Sequence, residues 1–270
     1  MRNFLVKIVN SFITVQKRSC YNVFGIKDLL QPEKATSFKL KQLGSRNNET
    51  AEALDIIKQY YLSEHVFVRA RSYFDINEDR AIDEYITSIL KQGNSLCAVV
   101  DDGSIAGLCL NFASSPVDPS ILRNFAFYRQ NADTKDFLYF IAKLQEIPNL
   151  WEFYKVPKIF EIKMLTVLPE YRRQGLAVMM AEKSKELSHD QGYNVVRMDC
   201  INQYDYKIAE RCMMSCLVKF PLHKLRGPNA PFIKRSSSEN RYVRVYVDAR
   251  THTDKDKEVI RRLELEELIE

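Results

Sequence analysis

A short basic run, Arg172-Arg173-Gln174-Gly175-Leu176-Ala177, carries the clearest chemical signal in the chain. An apolar stretch with strand character, Ile162 to Leu168, leads into it through Pro169 and Tyr171. An amphipathic helical pattern starts at the glycine. A strand that turns into a helix N-terminus makes an anion site. The first helical N–H groups lack intrahelical partners, and the helix dipole adds positive charge there. Gly175 lets the backbone approach a ligand closely, and Ala177 keeps the next turn narrow. The guanidinium groups of Arg172 and Arg173 suit a phosphate. A nucleoside-triphosphate loop is excluded, because no Lys-Ser or Lys-Thr pair directly follows Gly175; a dinucleotide fingerprint is excluded because Gly-x-Gly-x-x-Gly does not occur.

Such a loop needs elements to hold it. Thr36 to Gln42 alternates as a first strand, and Glu49 to Leu62 and Glu78 to Gln92 have helical spacing. Ser95–Val100 and Ser104–Phe112 read as strands joined by the hairpin signal Asp101-Asp102-Gly103. A long helical region, Ile121 to Tyr154, is broken at Pro148. Then come a strand at 159–167, a helix at 175–191, a strand at 193–200, a helix at 204–215 and two late strands at 217–225 and 241–249. This order predicts an α/β fold with a mixed central sheet of about six to seven strands flanked by helices. The folded domain is expected over 36–250. Residues 1–35 form a basic amphipathic extension and 251–270 a highly charged tail.

Composition narrows the function classes. The 270 residues are 46% hydrophobic and 28% charged, as in an ordinary globular protein. The net charge of +5 suits an anionic ligand, and no interleaving of basic and aromatic residues points to nucleic acid. No apolar run approaches the roughly 20 residues that span a bilayer. The six cysteines form no Cys-x-x-Cys, so no metal site is expected. Cys97 and Cys109 sit in apolar strand patterns and read as buried free thiols of a reducing compartment. The expected location is cytoplasmic. The alternative is the mitochondrial matrix, because residues 1–20 are basic, free of acidic side chains and helically patterned. An extra amphipathic helix packed on the domain fits that segment equally.

The spacing Arg172-x-x-Gly175-x-Ala177 resembles the pyrophosphate motif of the GNAT superfamily of N-acetyltransferases. The run Phe153 to Lys163 before it, and Met198-Asp199-Cys200 followed by a polar turn and a helix, are similar to invertebrate arylalkylamine (dopamine) N-acetyltransferases. The likeness spans roughly Phe38 to Val247. It implies the GNAT fold, acetyl-CoA as co-substrate, no metal, and a small-molecule primary amine as acceptor, attacked directly in a ternary complex. It implies that Arg172, Arg173, Gln174, Gly175, Leu176 and Ala177 hold the pyrophosphate. Leu165, Thr166 and Val167 would line the pantetheine arm and offer an oxyanion donor, and Asn202 would touch the arm from the next strand.

The resemblance also assigns a base. In Tyr60-Tyr61-Leu62-Ser63-Glu64-His65-Val66, Glu64 keeps the family's catalytic position, while Ser63 and His65 replace its Asp and Pro. Removing a proton from an ammonium with a pKa of ~10 calls for a carboxylate whose own pKa is raised by burial. Two serines of the family fall at Ile201 and Asp205. Asp205 is then either a helix cap or a proton relay, and His65 a second candidate base. Tyr60, Tyr61, Phe67, Tyr73 and Phe74 either line an aromatic amine pocket or form core. Two other readings fit the same residues: an acyl-CoA-binding protein without turnover, and an acetyltransferase for protein amines.

Overall fold

The computed structural model describes residues 36–44, 47–71, 74–227, 231–233 and 240–250. The N-terminal extension, Tyr73, Cys20 and the charged tail lie outside the described residues. Seven strands form one mixed sheet: β1 (Lys39–Gln42), β2 (Leu96–Val99), β3 (Ile105–Ser114), β4 (Ile159–Val167), β5 (Val195–Cys200), β6 (Ser215–Pro221) and β7 (Tyr242–Ala249). Their order is β1-β2-β3-β4-β5-β7-β6, and β4–β5 is the parallel pair. The helices are α1 (Asn47–Ile56), α2 (Val66–Arg69), α3 (Ala81–Leu90), α4 (Asp118–Phe127), α5 (Ala132–Glu146), α6 (Leu150–Tyr154), α7 (Leu176–Asp190) and α8 (Gln203–Arg211). This is the expected α/β architecture with a mixed sheet.

Two apolar cores cover the two faces. Leu176, Met180 and Ala181 of α7 and Ala209 of α8 pack with Phe160, Ile162, Val196 and Met198. On the other face α1, α3, α5 and α6 bury Ala53, Ile86, Phe140 and Trp151 with Ile159, Met164 and Val195. The side-chain phase of β4 changes within the strand: Phe160 and Ile162 face the α7 core, but Met164 faces the opposite one. The cause is a bulge. Leu110 of β3 pairs with Met164 and Asn111 with Ile162, so Lys163 is an extra residue. A bulge also bends its strand. β4 and β5 are paired only at Phe160–Val196, Glu161–Arg197 and Ile162–Met198, and beyond Ile162 they part. The gap opens at the carboxyl ends of the parallel pair, where open α/β sheets bind ligands.

Two expected helices differ from their sequence pattern. The run 49–62 is not one α-helix, since Ile57–Leu62 is π-helical. A π turn adds a residue and rotates the chain beyond it, a feature frequent at functional sites. The region 121–154 breaks at Tyr128–Asn131 as well as at Pro148, and the Asn131 side chain accepts from Thr134 N at 2.9 Å to start α5. Arg197, fully buried on β5, donates to the carbonyls of Leu144, Gln145, Ile147 and Pro148, so one guanidinium satisfies the C-terminal end of α5. Of the described cysteines, Cys97, Cys109, Cys200 and Cys212 are buried free thiols and Cys216 is half-buried.

Candidate active site

The anion loop forms as its sequence demands. β4 ends, Pro169–Tyr171 makes one 3₁₀ turn, and α7 starts at Leu176 with Gly175 as N-cap. Gly175 has φ +82°, and a Cβ there would meet no atom within 4 Å. Its glycine is therefore required by backbone conformation, not by crowding. Arg173 shares the left-handed region at φ 65°. No side chain caps α7, and its first intrahelical bond, Met179 N to Gly175 O at 3.1 Å, leaves the preceding N–H groups outside the helix ladder. Gly107 matters for a different reason. A Cβ there would come within 2.9 Å of both Met180 Cε and Thr166 O, so its absence lets α7 sit close on β3 and β4.

A cleft of about 600 Å³ opens in front of this loop. That is ample for a substrate site. Glu64, Leu165, Thr166, Val167, Arg172, Arg173, Gly175, Leu176, Ala177 and Asn202 all line it. Gln174, expected with them, is exposed and outside the lining. Sequence reading missed Arg69, Tyr171, Lys207 and Arg211, which also line the cleft. Lys207 and Arg211 are four apart on one side of α8, a visible spacing whose orientation only the packed helix reveals. With Arg172 and Arg173 they give the cleft a cationic rim that suits a polyanionic ligand.

The acceptor end departs from expectation. Glu64 follows the π turn and lies in the cleft, but its side chain is 50% exposed and ion-paired to Arg172 (Nη2 to Oε1, 3.1 Å), whose Nε donates to Val167 O at 2.9 Å. The burial expected of this carboxylate is not there. His65 is buried against Tyr61, Phe137 and Phe140. Its Nδ1 accepts from Phe67 N at 3.2 Å and caps α2, and burial pushes its pKa down to about 3. It is a neutral structural imidazole rather than a base. Phe67 packs edge-on against both Phe74 and Phe137 as core, whereas Tyr60 and Tyr61 do face the cleft.

Asn202 is committed to its helix. Its Oδ1 accepts from Tyr204 N and Asp205 N at 2.9 and 3.0 Å, and its Nδ2 donates to Asp205 Oδ2 at 2.6 Å. Asp205 thus stands in the first turn of α8 with its carboxylate in the cleft wall, next to Ile201. Behind Tyr61, His65 and Ile201 is a small cavity of about 30 Å³ lined by Tyr85, Glu161, Lys163, Arg197 and Asp199. Lys163 pairs with Glu161, and Arg197 with Asp199 at 2.8 Å. Burial disfavours the charge on Lys163, but Glu161 beside it reverses that and its pKa is raised.

Among the described residues no group of three His, Cys, Asp or Glu side chains is placed to hold a metal, and no helix is long and apolar enough to cross a membrane.

The sequence pattern of the Acetyltransferase (GNAT) family matches residues 54–212, more than half of the chain. The chain belongs to that family. Among solved structures it is similar to a mosquito arylalkylamine N-acetyltransferase-like 5b: TM-score 0.70, 19% identity, 79% of this chain and 100% of that one. Arylalkylamine N-acetyltransferase 2 from Aedes aegypti gives 0.70 and 20% identity over 80% of this chain and 100% of its own. The polyamine N-acetyltransferase of Drosophila melanogaster gives 0.70 and 15% identity over 79% and 100%. At these identities the likeness establishes the fold. The acetyltransferase assignment rests on the family match, and acetyl-CoA is the co-substrate of that family.

Proposed function

We propose that this protein transfers the acetyl group of acetyl-CoA to the nitrogen of a small primary amine, an arylalkylamine, by direct attack in a ternary complex. One observation carries the reading. The uncapped N-terminus of α7, with its left-handed glycine and two arginines, opens into the cleft made by the parting of β4 and β5. Arg172, Arg173 and the first-turn amides of α7 would hold the pyrophosphate. The free edge of β4 from Leu165 to Val167 would align the pantetheine arm and donate to the developing oxyanion. The thioester supplies an activated acyl carbon. Tyr60, Tyr61 and Tyr204, in the cleft lining, offer aromatic faces to the acceptor. Glu64, at the mouth, is the proposed proton acceptor, directly or through water. Its partner Arg172 is also a pyrophosphate ligand in this reading, so cofactor binding draws Arg172 away and frees the carboxylate.

The test is thiol release from acetyl-CoA by the purified chain over a panel of arylalkylamines and polyamines. Absence of turnover with every acceptor, while CoA still binds, overturns the reading. Glu64→Gln should lower kcat about 100-fold or more. An unchanged kcat would remove Glu64 as base. A second reading, acyl-CoA binding without turnover, is favoured by the exposure of Glu64 and its ion pair with Arg172. The same assay separates the two. The cellular location is proposed as cytoplasmic, which imaging of a tagged full chain would test.

A further inference from the structure

The cleft and the small cavity behind it contain the carboxylates of Glu64, Glu161, Asp199 and Asp205. Without cofactor the first three are each matched by a cation, Arg172, Lys163 and Arg197, and of these only the half-exposed Glu64 would give up its partner to CoA. Asp205 is not so matched. Among the described residues no lysine, arginine or histidine forms an ion pair with it, and its polar contacts are the Asn202 amide at 2.6 Å and a backbone hydrogen bond from Ile201. Tyr61 faces it from the π turn, Cys200 from β5, and Tyr206 from its own helix. Burial raises the pKa of all three, so they stay neutral near neutral pH and cannot balance a carboxylate. Lys207, on the same helix and in the same cleft, does not perturb it. A part-buried anion without a countercharge is costly unless a ligand provides one.

We propose that Asp205 is the docking group for the ammonium of the acceptor, so that the substrate binds as a protonated amine. The proposal rests on the amine-acetyltransfer reading and adds a residue that selects the acceptor, with Glu64 left as the proton acceptor of the reaction. An ammonium provides the charge missing at Asp205, and Tyr61 beside it gives a π face to the same cation. A neutral isostere of the amine forgoes the ion pair. The titration of Asp205 agrees: burial pushes its pKa up to about 7 despite the hydrogen bond from Asn202. A docked cation reverses that shift. At pH 6 most empty sites are protonated and each loses its proton as the ammonium arrives. At pH 8.5 few protons remain to be lost.

The experiment is calorimetric titration of the full chain saturated with CoA, which permits no turnover. The probes are 2-phenylethylamine, 1,4-diaminobutane and the neutral 2-phenylethanol, in buffers of different ionisation enthalpy. The expected result is an amine bound about tenfold or more tighter than the alcohol, a difference of ~1.4 kcal/mol. Close to one proton should be released at pH 6 and close to none at pH 8.5. Asp205→Asn should abolish both the preference and the release while CoA still binds, which shows that the variant folds. Asp205→Glu should restore the release. The proposal is overturned if neither amine binds, if Asp205→Asn keeps the preference, or if a proton is also released at pH 8.5. That last outcome means that the amine enters neutral. Asp205-dependent binding without acetylation would spare this proposal and sink the transfer reading. Acetylation with an unchanged KM in Asp205→Asn would do the reverse.

Discussion

The two ends of the cleft are built by different means. The donor end is backbone: a strand edge, a turn with two left-handed residues and an uncapped fifteen-residue helix, rimmed by exposed cations. The acceptor end is side chains: Tyr60, Tyr61 and Glu64 from the π turn and its sequel, and Ile201 and Asp205 from the end of β5 and the start of α8. Backbone amides and a helix dipole favour any phosphate, so the donor end can be shared across a family. Side chains from separate segments can be exchanged one at a time, so the acceptor end is the part free to change without disturbing the backbone of the donor end. Among the described residues the two ends share one ion pair, that of Arg172 and Glu64. In the proposed function, selectivity would lie on the acceptor side, with that pair as the described ion pair by which one end feels the other.

The largest effect should come from breaking the backbone of the donor end. At Gly175→Val the Cβ meets no atom within 4 Å, but a β-branched residue is forced to φ +82°. Strain of that kind costs about 1–3 kcal/mol. CoA affinity should fall on the order of ten- to a hundredfold, read by calorimetry, with secondary structure intact. Affinity within twofold of wild type would mean that the loop does not hold the cofactor. Next comes the contact between the ends. Arg172→Ala removes a charge-assisted partner of the phosphates and should weaken CoA about tenfold. Glu64→Gln should instead tighten CoA by roughly two- to threefold, since an exposed ion pair competing for Arg172 is worth under about 1 kcal/mol. If Glu64→Gln weakens CoA, the two ends cooperate rather than compete.

The same division explains what could be read from the chain before folding. The donor loop is contiguous, so Arg172, Gly175 and Ala177 announce it through type and spacing alone. The strands and most helices follow from apolar periodicity, which survives packing. The bulge at Lys163 did not show, because an inserted residue in a strand is an ordinary residue locally and is marked only by the partner strand. The π turn at Ile57–Leu62 was hidden for a similar reason, since its residues keep a helical pattern. Lys207 and Arg211 went unread, because only the packed helix shows that their side of α8 faces the cleft. His65 and Asp205 both read as ambiguous polar residues. Their fates were decided by tertiary burial: one imidazole enclosed by phenylalanines, one carboxylate left without a cation.

The last expected effect concerns that carboxylate in the empty protein. Asp205 has a folded pKa of about 7, raised by burial, against about 3.9 in an unfolded chain. Between those values the native state holds a proton that the unfolded state has lost, so stability falls as pH rises through this window and levels off above pH 7. Asn keeps a carbonyl to accept from Asn202 and cannot ionise. Asp205→Asn should therefore melt with wild type near pH 4 and above it at pH 8. The gain at pH 8 should grow with pH through this window and stop growing above pH 7, since it reads what the raised pKa costs the wild type. The difference should close again when a tight-binding amine and CoA are added at pH 8, because the docked ammonium then neutralises Asp205 in the wild type alone. A gain equal at pH 4 and pH 8 would assign the effect to helix capping. The acceptor end would then differ from the donor end in composition but not in any unmet charge.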